Sequence, residues 1–575
     1  MKNWTGQQVF LGFLLLWALI NLIQAGCTDL EPDEAYYWMY SRHLDWGYFD
    51  HPPVIALLIA AGYALFDSEL GVRLATVLLE LGTFWGVWLL ADRPQDPNKA
   101  GLLIILLAAM PLLHVYGFIA TPDAPLLFFA VVYLLVFRRF LQSIRQGGQP
   151  SWLVVLGLGV AMAAMLYSKY HGILVIAFSG LAHFRTLVRT PRYYLAAVLG
   201  AALFVPHLYW QYVHEFPSFR YHLSGRDDPY ELKHTVTYLI NQLVIFSPFL
   251  FPFMLRSLLR KDQQDILAPT LQWMAWGFWA FFLAMTFKGH VEPQWTLLVT
   301  FSLVLLTWRD ACPDGGAAFA KKAKVRRWLV RMGVLSFVLF LPLRLLLIWN
   351  YAGLENNVFH RRDWIPALQE EAGQLPVLFT NSYRDPSRYT FYSGKLAYSK
   401  TDIYYRPNQF DIWDRETDLH DQDVLLVAHG NWSCSDCFSF RVSGKNWRLK
   451  RVKNLQVSQK VNLNYTGPTT GWVVGDTIAL EIFLHNPYPF AIDRQRGNMP
   501  LSVRGLFFRE GQVLLDTPLL GDVPAIWPAE TSMRFLMKMV VPESIAPPFD
   551  FSLGIQTGDL PPARNSFQWT RIGDE

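Results

Sequence analysis

Cysteine is scarce in this chain. Four residues in 575 are too few for a disulfide framework. Cys434 and Cys437 form a close pair that reads as a local disulfide, and no second pair completes a zinc site. Charge is sparse too, at 17% of residues with a net charge of +4. The cations lie between apolar runs and not along one face, which speaks against a nucleic-acid partner. There is no internal repeat, no low-complexity tract, no glycine-rich nucleotide loop and no Ser-His-Asp order. The missing repeat counts against a polytopic transporter or flippase, the alternative reading for such a chain. No small-residue cleavage site follows the first apolar run, so that run is expected as a retained span.

Hydrophobic residues are abundant, 52% of the chain, with the excess in the first 350 positions. Eleven runs approach the ~20 apolar residues that cross a bilayer: 9–25, 74–90, 102–119, 125–137, 152–167, 173–184, 193–213, 235–255, 271–287, 295–308 and 334–349. The run 54–66 opens on Pro52-Pro53 and reads as a surface or re-entrant helix. With the N-terminus cytoplasmic, seventeen Lys and Arg fall in inner loops and six in outer ones, Lys261 being among the inner and Arg226 among the outer. The positive-inside rule then sets the orientation, and an odd span count places the C-terminal region outside. The fold class expected is a polytopic α-helical membrane protein, residues 1–350, with an extracytoplasmic α/β region, 351–437, and a β-sandwich, 438–575. Residues 377–380 and 424–428 read as buried strands, and 478–484 and 501–508 alternate as sandwich strands do.

The polar clusters at the membrane borders fall on one side. The first outer loop holds Glu31-Pro32-Asp33-Glu34 and, later, Asp50-His51-Pro52-Pro53. Further outer turns hold Thr121-Pro122-Asp123, Ser168-Lys169-Tyr170-His171 and Lys288-Gly289-His290-Val291-Glu292 before Trp295. Ionisable groups at a membrane edge are costly unless they face a polar cavity or each other, so one shared cavity is expected. Pro32 suits the first turn of a helix. Adjacent carboxylates point about 100° apart there, so one of Asp33 and Glu34 can face the cavity while the other caps or pairs with a cation. The aromatics at 36, 37, 38 and 40 are expected to anchor that helix in the interface. His51, His290 and Glu292 could take a divalent metal, though no tight ligand spacing demands one and no cofactor is assigned.

Together, Asp33-Glu34, His51-Pro52-Pro53, the turn around Asp123 and the stretch from Lys288 to Trp295 resemble the bacterial protein-mannosyltransferase-like branch of the GT-C glycosyltransferases. The lipid A aminoarabinose transferase is a relative of that branch. The resemblance spans residues 1–350. It implies a polyprenyl-phosphate-linked sugar donor, inversion, and an extracytoplasmic acceptor on a lipid, polysaccharide or protein, at a bacterial cytoplasmic membrane. It also implies a general base in the first outer loop, which falls on Asp33 with Glu34 beside it, and a second acid at Asp123. Aminoarabinose transferases carry a Lys before the Pro-Pro pair and an Arg shortly after the Asp-Glu, where this chain has His51 and Tyr36. His51, Lys169, His171, Lys288 and His290 are the candidates for the donor phosphate, and Tyr37, Glu292 and Trp295 for substrate contact. A leaving phosphate is already a stable anion, so cations help it more than a proton does.

Overall fold

The computed structural model describes residues 4–573 apart from 224–228, 261–264, 314, 350–361, 433, 435, 469–471, 546 and 567. Arg226, Lys261 and the expected boundary at residue 350 lie outside the described residues. The chain forms two compact units, Met1–His360 and Arg361–Glu575.

The first unit is helical. Its first nine helices are α1 (Gly6–Cys27), α2 (Pro32–Ser41), α3 (Val54–Tyr63), α4 (Glu69–Leu90), α5 (Pro97–Ala108), α6 (Pro111–Tyr116), α7 (Asp123–Arg145), α8 (Trp152–Ser168) and α9 (Gly172–Ala182). Starts follow local chemistry. Thr5 and Gln8 form a capping box on α1, and Asp96 accepts from the first N–H groups of α5, whose first residue is Pro97. Among the described residues five helices are long and apolar enough to cross a membrane: α1, α4, α7, Pro191–Val213 and Ala323–Leu346. The unit is a polytopic membrane bundle.

The eleven expected runs do not map onto eleven unbroken helices. Run 102–119 is divided into α5 and α6 at Pro111, which lacks the N–H that would continue the ladder. Run 235–255 is divided into Leu232–Ile245 and Phe251–Leu258, with Ser247 in a left-handed conformation between them. The helices α3 and α4 meet almost backbone to backbone. A Cβ on Gly62 would stand 2.3 Å from the Gly71 carbonyl oxygen, and one on Gly71 would stand 1.8 Å from that of Phe66.

The second unit begins with a five-stranded sheet built from β1 (Val377–Thr380), β2 (Ala397–Lys400), β3 (Val424–His429), β4 (Phe438–Val442) and β5 (Lys445–Val452). Its order is β2-β1-β3-β5-β4. The first three strands are parallel and β5 runs antiparallel to β3. The α/β layer therefore continues past residue 437, because β4 and β5 complete the sheet that β3 begins. Beyond it a sheet ordered Thr531–Val540, Thr477–Asn486, Asn462–Thr466 shares one core with a sheet ordered Gln512–Pro518, Leu501–Arg509, Phe549–Thr557, Ala563–Arg564. Along Thr477–Asn486 every second residue is buried, from Ile478 through Leu484 to Asn486, as a half-buried strand requires.

Candidate active site

The first outer loop is tied down by an ion pair at its centre. Glu34 and Arg73 are both fully buried. Arg73 donates to both Glu34 oxygens, at 2.8 and 2.6 Å. Its remaining N–H groups reach the carbonyls of Ala25, Thr28 and Asp29 at the end of α1. Glu34 also accepts from the backbone N–H groups of Glu31 and Ala120, at 2.9 and 2.7 Å. One carboxylate thus joins α1, α2, α4 and the turn before α7. Its two oxygens accept four hydrogen bonds, two from the guanidinium and two from backbone N–H groups. Arg73 supplies the cationic partner foreseen for one member of the Asp-Glu pair. It sits one residue before run 74–90, where hydropathy alone passes over it.

Asp33 precedes Glu34 on α2 and is half-buried. Its backbone N–H donates to the Glu31 carboxylate at 2.6 Å, part of the cap that opens the helix. Its side chain shares a neighbour with other acids. The Tyr116 hydroxyl, at the end of α6, feels the charges of Asp123, Glu292, Glu31 and Asp33 together. Acids from the first outer loop, the first turn of α7 and the turn before the Pro293–Thr296 helix therefore lie within electrostatic range of one phenol. Neither Tyr116 nor Glu31 was a sequence candidate, because Tyr116 lies inside an apolar run and Glu31 reads as a cap. No three of these acids bring oxygens within 4.8 Å of one another. Among the described residues that distance is met by Cys434, Asp436 and Cys437, whose two sulfurs form a disulfide.

The other candidates fall into pairs on the same rim. Lys169, which caps the end of α8, donates to both oxygens of Asp123 at 2.8 and 2.9 Å, with both residues buried. The second acid and a candidate phosphate cation, expected in separate roles, here form one ion pair. His171 packs edge-on against Trp295, ring centres 5.6 Å apart, and against Phe282. His51 meets the Tyr37 ring edge-on at 5.5 Å. His290 and Glu292 approach to 3.9 Å, and both side chains are solvent-accessible. Lys288 is exposed.

The loop aromatics differ from expectation. Tyr36, Tyr37, Trp38 and Tyr40 are buried, so they pack the loop and do not face the interface. Tyr40 stacks on Tyr48 at 4.1 Å, and Tyr48 donates to the carbonyls of Tyr40 and His43. Burial pushes the Tyr48 phenol well above its usual range, so it stays a donor. The rest of the loop is held by Trp210, donating to Asp45 at 2.7 Å, and by Ser218, donating to the Phe49 carbonyl at 2.7 Å.

Known proteins match this arrangement. The dolichyl-phosphate-mannose-protein mannosyltransferase family model matches residues 50–210, from Asp50 past Lys169 and His171. A solved ArnT from Cupriavidus metallidurans, bound to undecaprenyl phosphate, superposes with a TM-score of 0.56 at 17% identity, over 76% of this chain and 97% of that one. The apo form of that ArnT gives 0.56 at 15% identity, with the same coverage. At these identities the likeness to the two solved structures is one of fold. The chain is also 27% identical to the lipid A galacturonosyltransferase RgtD of Rhizobium johnstonii over 289 residues, 48% of this chain and 59% of that protein. It thus spans less than two thirds of the curated relative it matches.

Proposed function

We propose that this chain is an inverting glycosyltransferase. It moves a sugar from a polyprenyl-phosphate donor to a hydroxyl of a lipid-borne acceptor, on the outer face of a bacterial cytoplasmic membrane. Its N-terminus is cytoplasmic and its second unit extracytoplasmic, in keeping with the Lys and Arg asymmetry. The observation that carries the reading is the buried ion pair of Asp123 and Lys169, with Asp33 and Glu292 within electrostatic range of the same phenol, Tyr116, as Asp123. The names of the relatives support the substrates: RgtD acts on lipid A, and ArnT was solved with undecaprenyl phosphate. Both are transferases, which gives the flippase reading no support.

In this scheme Asp33 takes the proton of the acceptor hydroxyl as its oxygen attacks the anomeric carbon. The bond from that carbon to the phosphate oxygen breaks, and polyprenyl phosphate leaves as an anion. Asp33 suits the base role because it is half-buried on a helix that the neighbouring Glu34 anchors, so its position at the rim is fixed. Lys169 holds Asp123 in place, and His51, His171, Lys288 and His290 are the basic side chains offered to the departing phosphate. Tyr37 and Trp295, packed against His51 and His171, offer ring faces to the sugar. A positioned base contributes about 10²- to 10⁴-fold. Mass spectrometry of envelope glycolipids from cells carrying the gene, the Asp33→Asn variant or a deletion tests this. The expected result is a sugar adduct that disappears in the deletion strain and falls by at least that factor with Asp33→Asn. An adduct undiminished by Asp33→Asn removes Asp33 as the base. An adduct that survives the deletion removes the transferase reading for that acceptor.

A further inference from the structure

The end of the bundle opposite the acids holds a second site, independent of the transfer reaction. Asp123 opens α7, and Arg138 and Arg139 lie fifteen and sixteen residues further along it, roughly 23 Å away at ~1.5 Å per residue. There α4 ends and turns. Asp92 and Arg93 both take left-handed backbone conformations, at φ 58° and 53°, and the Arg93 N–H donates back to the Trp88 carbonyl. That turn brings Arg93 beside Arg138 and Arg139 at the mouth of a cavity of about 490 Å³ between α4 and α7. The inner wall is apolar, formed by Leu89, Val132 and Val136.

The charges at the mouth do not cancel. Arg138 pairs with Asp92 and donates to the Leu90 carbonyl at 3.3 Å, and its buried Nε has no partner. Asp92 is thereby used. Arg93 and Arg139 are exposed, and among the described residues no acid or carbonyl accepts from either guanidinium. Two free guanidiniums thus stand over an apolar trough on two membrane-spanning helices. Arginine binds phosphate through two parallel N–H bonds, and basic pockets between spans suit anionic headgroups. The volume falls within the range of small-molecule sites.

We propose that this pocket binds one anionic phospholipid of the adjoining leaflet. Its phosphate sits between Arg93 and Arg139 and an acyl chain lies along Val132 and Val136. The charge requires an acidic lipid, and the apolar wall requires a lipid over a free anion. Neither requirement depends on which leaflet that is.

The test is native mass spectrometry of the full-length protein in mild detergent, titrated with phosphatidylglycerol or phosphatidylcholine. The expected result is at least about tenfold tighter binding of one phosphatidylglycerol, lost in the Arg93→Gln/Arg139→Gln double variant. An Arg185→Gln/Arg189→Gln variant removes equal charge from another loop at the same end and should bind as the wild type does. A Val136→Trp variant fills the trough but keeps the charges, and should also weaken binding if the double variant fails to fold. Equal binding of the two lipids by the wild type would overturn the proposal. Equal weakening by the Arg185/Arg189 control would do so too, since it means diffuse attraction. Displacement of phosphatidylglycerol by millimolar inorganic phosphate would replace the lipid site with a simple anion site.

Discussion

Asp33 and Glu34 are adjacent and chemically alike, and they do different work. Glu34 spends its lone pairs on Arg73 and two backbone N–H groups, which fixes four chain segments around one buried charge. Removing one partner of such a pair leaves an uncompensated ion and costs about 3–5 kcal/mol. Glu34→Gln or Arg73→Met should therefore lower the unfolding midpoint of the detergent-solubilised protein by many degrees. A midpoint within a degree or two of wild type would show that the pair does not organise the loop. Asp33→Asn, by contrast, should leave that midpoint unchanged while transfer falls. The sequence shows that one acid of the pair can face a cavity and the other pair with a cation. It does not show which, because the partner, Arg73, lies 39 positions away. Tyr116 was missed for a similar reason, since nothing local marks a tyrosine in an apolar run as lying within electrostatic range of acids from three segments.

At the scale of elements, hydropathy locates apolar runs well and counts helices less well. Length and composition cannot see that Pro111 ends a ladder within run 102–119, or that Ser247 turns the chain within run 235–255. The strands of the second unit were more legible. Run 377–380 coincides with β1, and 424–428 lies within β3. A period of two is a local property. Membership of a sheet is not, and so β4 and β5 join the α/β layer beyond the expected boundary. The contact of α3 with α4 rests on two glycines that allow the backbones to touch, a device common where helices associate in lipid. Gly71→Ala should displace the turn between those helices, because its Cβ would lie 1.8 Å from the Phe66 carbonyl oxygen and 3.1 Å from that of Gly62 in α3. The expected outcome is a loss of roughly 1–3 kcal/mol, read as a lower thermal midpoint. An unchanged midpoint would mean that the crossing relaxes freely.

For the whole molecule, the division into two units allows each to be tested on its own terms. In the second unit burial pushes the Asp411 carboxyl up to about 6, against hydrogen bonds from Asn408, Thr401 and Gln459 that hold it down. An acid raised in the fold carries no penalty below its unfolded value of about 3.9. The penalty grows between that value and 6, and is complete above 6. A rise of that size makes the charged form costlier by about 3 kcal/mol. Asp411→Asn should thus unfold like wild type near pH 3.5 and become relatively more stable above pH 6. Parallel stability curves for the two proteins across that window would refute it. The second unit is also the candidate selector of the acceptor. Ending the chain at Trp349 should preserve binding of undecaprenyl phosphate and lower transfer to lipid acceptor. Equal transfer by both chains would remove that role.

The amino-acid order by itself determined a polytopic membrane bundle and a strand-rich region after it. These are consequences of composition and short-range period, because solvent transfer acts on each run separately. The tertiary structure decided the partners: Glu34 with Arg73 and Asp123 with Lys169. Electrostatic pairing depends on distance through space, and that distance is set only when helices remote in the chain pack together.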